Sequence, residues 1–283
     1  MKKLLMVLIV LLGVFTLASC GNENEQDDNV LVVGMEAAYQ PFNWTETVKT
    51  DSNVQIANLN DSYAAGYDVE IAKRIAESLG MTLEIRALEW EALIQNLKGN
   101  QIDLIIAGMS DTPERRESID FTDGYYSSRE VLVMRKDSTF ASATKMSDLT
   151  GAKVSGQLGT IFADLVSQTV EQGAIAGNNQ STVGAIINDI MHGVTDATIV
   201  ELPAAEGIVS TQSDLTIVQL TEDPNTEINE DFVVSPSDVT VNIGIRQGYD
   251  KKDAINLALS QISEDTRQEL MKAAVTAYAS LEM

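Results

Sequence analysis

A single cysteine, Cys20, stands in a chain of 283 residues. One thiol closes no intramolecular disulfide, so the fold has to be carried by its core. There is also a single histidine, His192, on a segment that reads as a helix. No Cys/His spacing of the kind that binds zinc accompanies it. A G-x-S-x-G turn, an H-E-x-x-H helix, a Gly-rich phosphate loop and a D-x-D-x-D-G calcium loop are all missing. These absences argue against nucleophilic, zinc-dependent and nucleotide-dependent chemistry, and no metal or cofactor is expected. Positive charge is scarce as well: 19 Lys and Arg face 42 Asp and Glu, for a net charge of −23. A nucleic-acid partner needs a basic face that this chain lacks, and an anionic membrane surface would repel it.

What is present is an ordinary globular balance, 44% hydrophobic and 22% charged, with length enough for two lobes. The N-terminus departs from it. "MKK" is followed by an apolar run over residues 4–17, too short and wrongly flanked for a stable membrane span. The run closes on Leu17-Ala18-Ser19-Cys20, which resembles the lipobox of bacterial lipoproteins. The resemblance implies diacylglyceryl transfer to Cys20 and cleavage before it; an ordinary signal peptide or an uncleaved anchor is the alternative. Residues 21–29, "GNENEQDDN", lack apolar side chains and read as a flexible tether.

From residue 30 the pattern alternates. "VLVVGM" (30–35) is a continuous apolar run and reads as a buried strand. Residues 67–80 form an amphipathic helix with Val69, Ala72, Ile75, Ala76 and Leu79 on one face and Gly80 as its stop. "TLEIR" is a strand, "EWEALIQNLKGN" a helix with Trp90 inward, and "IDLIIAG" a strand. Residues 45–65 read as an excursion or a weak hairpin. A second α/β alternation begins after "REVLVMRK" (129–136) and runs through "DATIV" (196–200) to "LTIVQL" (215–220). "VTVNIGIRQG" (239–248) and two helices, 250–262 and 264–281, have no sheet of their own and are expected to pack back on the first half. Two mostly parallel sheets with a cleft at the carboxyl ends of their strands follow from this order.

Three loops fall at that cleft: 36–44, 107–116 and 156–161. In "AGMSDTPERR" (107–116), Thr112 can cap and Pro113 can open a short helix, yet Arg115 and Arg116 occupy its first turn. Cations are disfavoured at a helix N-terminus. Either an anion is bound there or both arginines are solvated. Arg115 offers a fork that fits a carboxylate, Ser110 a hydroxyl, and the Gly108 region backbone donors. In "GQLGT", Gly159 lets the backbone approach and Thr160 sits near a helix N-terminus, a second anion-favouring point. Glu201, after "DATIV", can take an ammonium. Carboxylate donors with one acid suit a free α-amino acid. Tyr39 and Trp90 are candidate walls or core residues.

"GYDVEIAKRIAESLG" and the run from Trp90 through "IDLIIAGMSDTPERRESIDFTDGYY", with "QLGT", resemble the extracellular solute-binding proteins of polar amino-acid ABC importers. The resemblance covers most of residues 30–283, is densest at 66–126, and favours the anion reading for Arg115, with Arg116 solvated. It implies an α/β fold of the periplasmic-binding-protein type II kind, two lobes joined by two hinge segments with a ligand cleft between. Residues 1–19 would be a lipoprotein signal peptide and 20–29 a lipidated tether. Residues 30–128 with 238–283 would form lobe 1, and 129–237 lobe 2. It implies that Arg115 and Ser110 bind the ligand carboxylate from lobe 1, and Thr160 with the Ile161 backbone from lobe 2. The Gly108 carbonyl and Glu201 would receive the α-ammonium, and Trp90 and Tyr39 would be aromatic walls. Gln157 would face the ligand side chain, and Glu36 would contact a distal cation. Glu201 stands where the family commonly has Asp, Glu36 where Asp or Asn is usual, and Ile161 where Thr or Ser is common.

The expectation is a monomeric, lipid-anchored binding protein on the outer side of the cell membrane, either surface-exposed or periplasmic. It would capture a polar amino acid, arginine or lysine favoured, and deliver it to ABC permease subunits with their ATPase. It is not expected to be an enzyme. Two rivals are a cyclohexadienyl-dehydratase-like enzyme on the same fold, with Glu201 or Glu36 moving a proton, and the sensing subunit of a receptor.

Overall fold

The computed structural model describes residues 29–220 and 232–281. The expected signal peptide, Cys20 and nearly all of the tether lie outside the described residues, as does the acidic loop 221–231. No helix among the described residues is long and apolar enough to cross a membrane.

The first lobe is built on a five-stranded sheet. β1 (Val30–Met35) runs parallel to β6 (Thr82–Ala87) on one side and to β7 (Leu104–Ile105) on the other. β7 is followed in space by β14 (Thr240–Ile245) and then β8 (Asp120–Ser127), both pairings antiparallel. The second lobe repeats the plan in the order β11 (Ile175–Ala176), β10 (Lys153–Ser155), β12 (Ala197–Glu201), β9 (Glu130–Arg135), β13 (Leu215–Val218). Here β10 is parallel to β11 and β12, while β12–β9 and β9–β13 are antiparallel. Both sheets are therefore mixed rather than mostly parallel. The reversed strands in each sheet flank the points where the chain passes between the lobes.

β8 is not among the strands expected from the sequence. Asp123-Gly124 in its middle reads as a turn, but here it sits at irregularities in the register against β14. The excursion at 45–65 joins the loop before it in a small antiparallel sheet. Its order is β2 (Ala38–Tyr39), β3 (Asn43–Glu46), β5 (Tyr63–Ala65), β4 (Val54–Gln55).

Local chemistry sets the helix ends. α1 (Tyr67–Leu79) carries Asp68 and Glu70 in its first turn, where negative charge suits the helix dipole. It stops at Gly80, whose φ of 67° is left-handed and whose N–H reaches the carbonyls of Ala76 and Glu77. Val69, Ala72, Ile75 and Ala76 are buried. The helix expected after Glu89 begins as a 3₁₀ turn (Trp90–Ala92) and continues as α2 (Leu93–Lys98). α3 (Pro113–Arg116) is capped by Thr112, which accepts from the Arg115 N–H at 3.3 Å. α4 (Ile161–Glu171), α5 (Val183–Met191) and α6 (Leu202–Thr211) cover the second sheet. α7 (Lys252–Ser260) and α8 (Glu264–Ser280) return to the first lobe, and α8 also touches α6.

The chain crosses between the sheets twice. Ser128 and Arg129 join β8 to β9, and the stretch between Val218 and Thr240 returns to β14. The crossings lie side by side: the Ser128 N–H donates to the Val239 carbonyl at 3.0 Å.

Candidate functional site

Both lobes present loops to one cleft. Its walls are Glu36, Tyr39, Trp90, Gly108, Ser110, Arg115, Gln157, Thr160 and Ile161, joined by Ala107 and Phe162, and they close on a cavity of about 10 Å³, room for roughly one water molecule. The first six come from the lobe holding β1, and Gln157, Thr160 and Ile161 from the lobe holding β10. Glu201 is not part of that lining. It is buried at the end of β12 and accepts a hydrogen bond from the Tyr39 hydroxyl of the opposite lobe.

Arg115 is the cation at the cleft. Its Nη1 donates to the Ser110 carbonyl at 2.6 Å and its Nη2 to the Gly159 carbonyl of the other lobe at 3.1 Å. The guanidinium lies 5.3 Å from the centre of the Trp90 ring. Burial pulls it down to about 10, so it stays charged at neutral pH. Both partners are neutral carbonyls, which leaves its charge uncancelled by direct contact with an acid. Arg116 behaves differently: its Nε and Nη2 clasp the two oxygens of Asp111. Arg116 is exposed, and its fork also pins the loop through Asp111. Asp111 is invisible as its partner in the sequence because the pair closes a turn that spacing does not specify.

The polar groups of the cleft are held from behind. Ser110 is buried and its hydroxyl donates to the Asp238 carbonyl at 3.0 Å. The Thr160 hydroxyl donates to the Gln157 carbonyl at 2.8 Å and the residue stands at the N-cap of α4. Gln157 Nε2 lies 3.2 Å from both oxygens of Glu36 and 3.0 Å from the Ser181 carbonyl. Gly108 has φ 62°, and a Cβ there would come within 3.3 Å of the Tyr39 ring. Tyr39 stacks on Phe42, ring centres 5.5 Å apart.

Two acids in or beside the cleft are held above the ordinary carboxylate range. Burial pushes Glu201 up to about 8. Burial also raises Glu36, with Gln157 opposing and Glu89 adding to the rise. Toward solvent the cleft opens into a wider groove with Glu91, Glu114 and Glu117 on one lobe and Asp164 on the other. That mouth favours the approach of a cation. Among the described residues no group of His, Cys, Asp and Glu has the arrangement of a metal site.

Direct links across the cleft tie the lobes. Besides Tyr39–Glu201, Gln157–Glu36 and Arg115–Gly159, the Trp90 indole N–H donates to the Gly159 carbonyl at 3.0 Å. Sequence reasoning marks Gly159 only for backbone freedom; its carbonyl proves to receive two donors. Phe162 and Ala107 escape such reasoning, since an apolar residue beside a motif carries no polar signal.

Two α/β lobes with a polar cleft between them, crossed twice by the chain, define the type II periplasmic-binding-protein architecture. Solved structures of that class align with the chain. One is an amino-acid ABC transporter substrate-binding protein AbpA from Streptococcus pneumoniae bound to L-arginine, at a TM-score of 0.72 and 24% identity, covering 89% of this chain and 96% of that one. Another is the ancestral amino-acid-binding protein AncCDT-1, a precursor of cyclohexadienyl dehydratase, at a TM-score of 0.68 and 22% identity, covering 87% of this chain and 96% of that one. At these identities the likeness is one of fold. The arginine-binding extracellular protein ArtP of Bacillus subtilis is 28% identical over 278 residues, 96% of this chain and 97% of ArtP. The chain belongs to the bacterial extracellular solute-binding proteins, family 3, whose pattern matches residues 31–275.

Proposed function

We propose that this protein captures a free α-amino acid with a cationic side chain and hands it to an ABC importer, held at the outer membrane face by a lipid on Cys20. The observation that carries the reading is the charge inventory of the cleft. One guanidinium, Arg115, lies with the Ser110 and Thr160 hydroxyls at one end. Two acids, the buried Glu201 and the half-buried Glu36, lie beside the walls made by Tyr39 and Gln157. One cation and two acids complement an α-carboxylate, an α-ammonium and a distal cation. Ligand contacts drawn from both lobes favour the closed arrangement, because only closure lets both sets act together. The arginine-binding relative supports the same ligand class, and the family's extracellular character supports the location.

A second reading rests on Glu201. A carboxyl pushed up to about 8 is suited to proton transfer, and the AncCDT-1 fold relative is described as the precursor of a dehydratase. A thermal-shift screen of the chain from residue 21 separates the two, using the common amino acids and prephenate after unfolding and refolding to strip carried-over ligand. Native-state binding raises the melting temperature. A shift with arginine or lysine, lost in Arg115→Ala and reduced in Glu36→Gln, is the expected result. A shift only with neutral amino acids removes the role given to Glu36. A response to prephenate alone moves the assignment to the enzyme.

A further inference from the structure

Behind the cleft, within the first lobe, lies a buried polar chain whose link to the lining is the Gly108 backbone N–H. Asp68, Tyr125, Asn43 and Tyr67 are all fully buried. Tyr125 Oη donates to Asp68 Oδ1 at 2.7 Å, and Asn43 Nδ2 donates to Asp68 Oδ2 at 2.8 Å. The Gly108 N–H donates to the Tyr125 hydroxyl at 3.0 Å. We propose that Asp68 and Tyr125 are positioning residues for ligand: together they set the orientation of Gly108, and through it the recognition of the ligand's α-ammonium. This rests on the reading of the cleft as an amino-acid site.

The direction of the chain is fixed by its chemistry. A phenol has one proton. An ionised carboxylate only accepts, so Tyr125 gives that proton to Asp68 and keeps a lone pair for the Gly108 N–H. Burial raises Asp68 to about 6, which leaves it largely ionised at neutral pH, helped by its donors Tyr125 and Asn43 and by the Gly108 N–H; its place in the first turn of α1 acts the same way. Gly108 needs this support because it has no side chain and a left-handed φ. On its far side the Met109 carbonyl accepts from the Asn242 N–H at 2.8 Å. Anchors on both flanks thus hold the one residue of the wall whose own backbone is assigned to the ammonium. A fully buried carboxylate is costly unless it is hydrogen-bonded. An apolar side chain would fill the same space, so its presence is explained by what it orients.

The test compares affinities for L-arginine and for 5-guanidinopentanoate, its analogue without the α-ammonium, by calorimetry up to millimolar ligand. Tyr125→Phe removes the phenol that receives the Gly108 N–H at hydrogen-bonding distance, leaving only the pull of the Asp68 carboxylate on that N–H. Tyr67→Phe removes an equally buried hydroxyl, which donates to the Tyr125 carbonyl at 2.8 Å and does not touch Gly108. Tyr125→Phe is expected to weaken arginine about tenfold and the analogue by less than about twofold; of the two hydrogen bonds the hydroxyl makes, the one from Gly108 is the one that bears on the ammonium. Tyr67→Phe is expected to leave both affinities unchanged. Asp68→Asn, which keeps the side chain's shape, carries the same comparison with a smaller arginine-selective loss if Tyr125→Phe does not fold. Unchanged arginine affinity in Tyr125→Phe, or equal losses for both ligands, overturns the proposal while Arg115→Ala still abolishes binding. Intact arginine binding in Arg115→Ala overturns it together with the amino-acid reading.

Discussion

Replacing Glu201 by glutamine tests the electrostatics of the cleft in one substitution. In the native protein burial lifts this carboxyl from an ordinary 4.5 to about 8. Between those values the native state holds a proton that the unfolded chain releases, so stability falls as pH rises through that window. The gap, at about 1.4 kcal/mol per pH unit, sets an upper bound of about 5 kcal/mol lost by pH 8. Asp68, raised to about 6, acts with the same sign over a lower window, from about its ordinary 3.8 upward. The amide introduced by Glu201→Gln does not titrate. Denaturant titrations of ligand-free protein at pH 5 and pH 8 should therefore show the variant gaining on the wild type by several kcal/mol as pH rises. Bound ligand reverses the preference, since an ammonium beside Glu201 favours its ionised form. Arginine binding at pH 7 is then expected to release close to one proton, seen by calorimetry in buffers of different ionisation enthalpy. Affinity should climb by up to tenfold per pH unit below about 8. A wild-type-minus-variant difference that is flat from pH 5 to 8, with no proton release, would refute the reasoning.

Arg115→Lys keeps a charge but not the fork that reaches both Ser110 and Gly159; arginine affinity by calorimetry should fall on the order of a hundredfold. Trp90→Phe retains the stack on Arg115 but loses the indole donor to Gly159, about 1 kcal/mol, read as a roughly fivefold weaker Kd. Gly156→Ala would set a Cβ 2.6 Å from the backbone of Phe162 and Ala163, which cannot move without shifting α4. Denaturant unfolding should report a loss of about 1–3 kcal/mol. Gly184→Ala, on an exposed turn of α5 with nothing within 4 Å, should instead gain about 0.5–1 kcal/mol in the same assay.

What is legible in the sequence is local. The apolar run at 30–35, the face of α1 and its glycine stop appear as periodicity because one element decides them. Arg115 stands out because its charge conflicts with the helix N-terminus that Thr112 and Pro113 announce. Strand direction is less accessible, since whether β14 lies parallel or antiparallel to β7 depends on where the chain has been in between. β8 is hidden by Asp123-Gly124, whose turn chemistry is overridden by pairing with β14. The links from Tyr39 to Glu201 and from Trp90 to Gly159 join positions 162 and 69 residues apart, and no spacing rule reaches that far. Gly159 as an acceptor and Phe162 as a wall share that cause: their roles are properties of the closed cleft.

The order of strands in the first sheet has a consequence for how the molecule is made. β14 arrives late in synthesis yet lies between β7 and β8, whereas the second sheet draws all its strands from the unbroken segment 130–218. Growing from its N-terminal end, the chain holds every strand of the second lobe before it holds the strand that joins β7 to β8. The first lobe must wait with an open seam, its longest-range pairings the last to form. Ser110 and Asn242 meet their partners only when that seam closes. A truncated or stalled chain lacking residues beyond 239 therefore carries a complete second sheet beside a divided first one. It cannot assemble the binding cleft, so recognition begins only once the polypeptide is nearly whole.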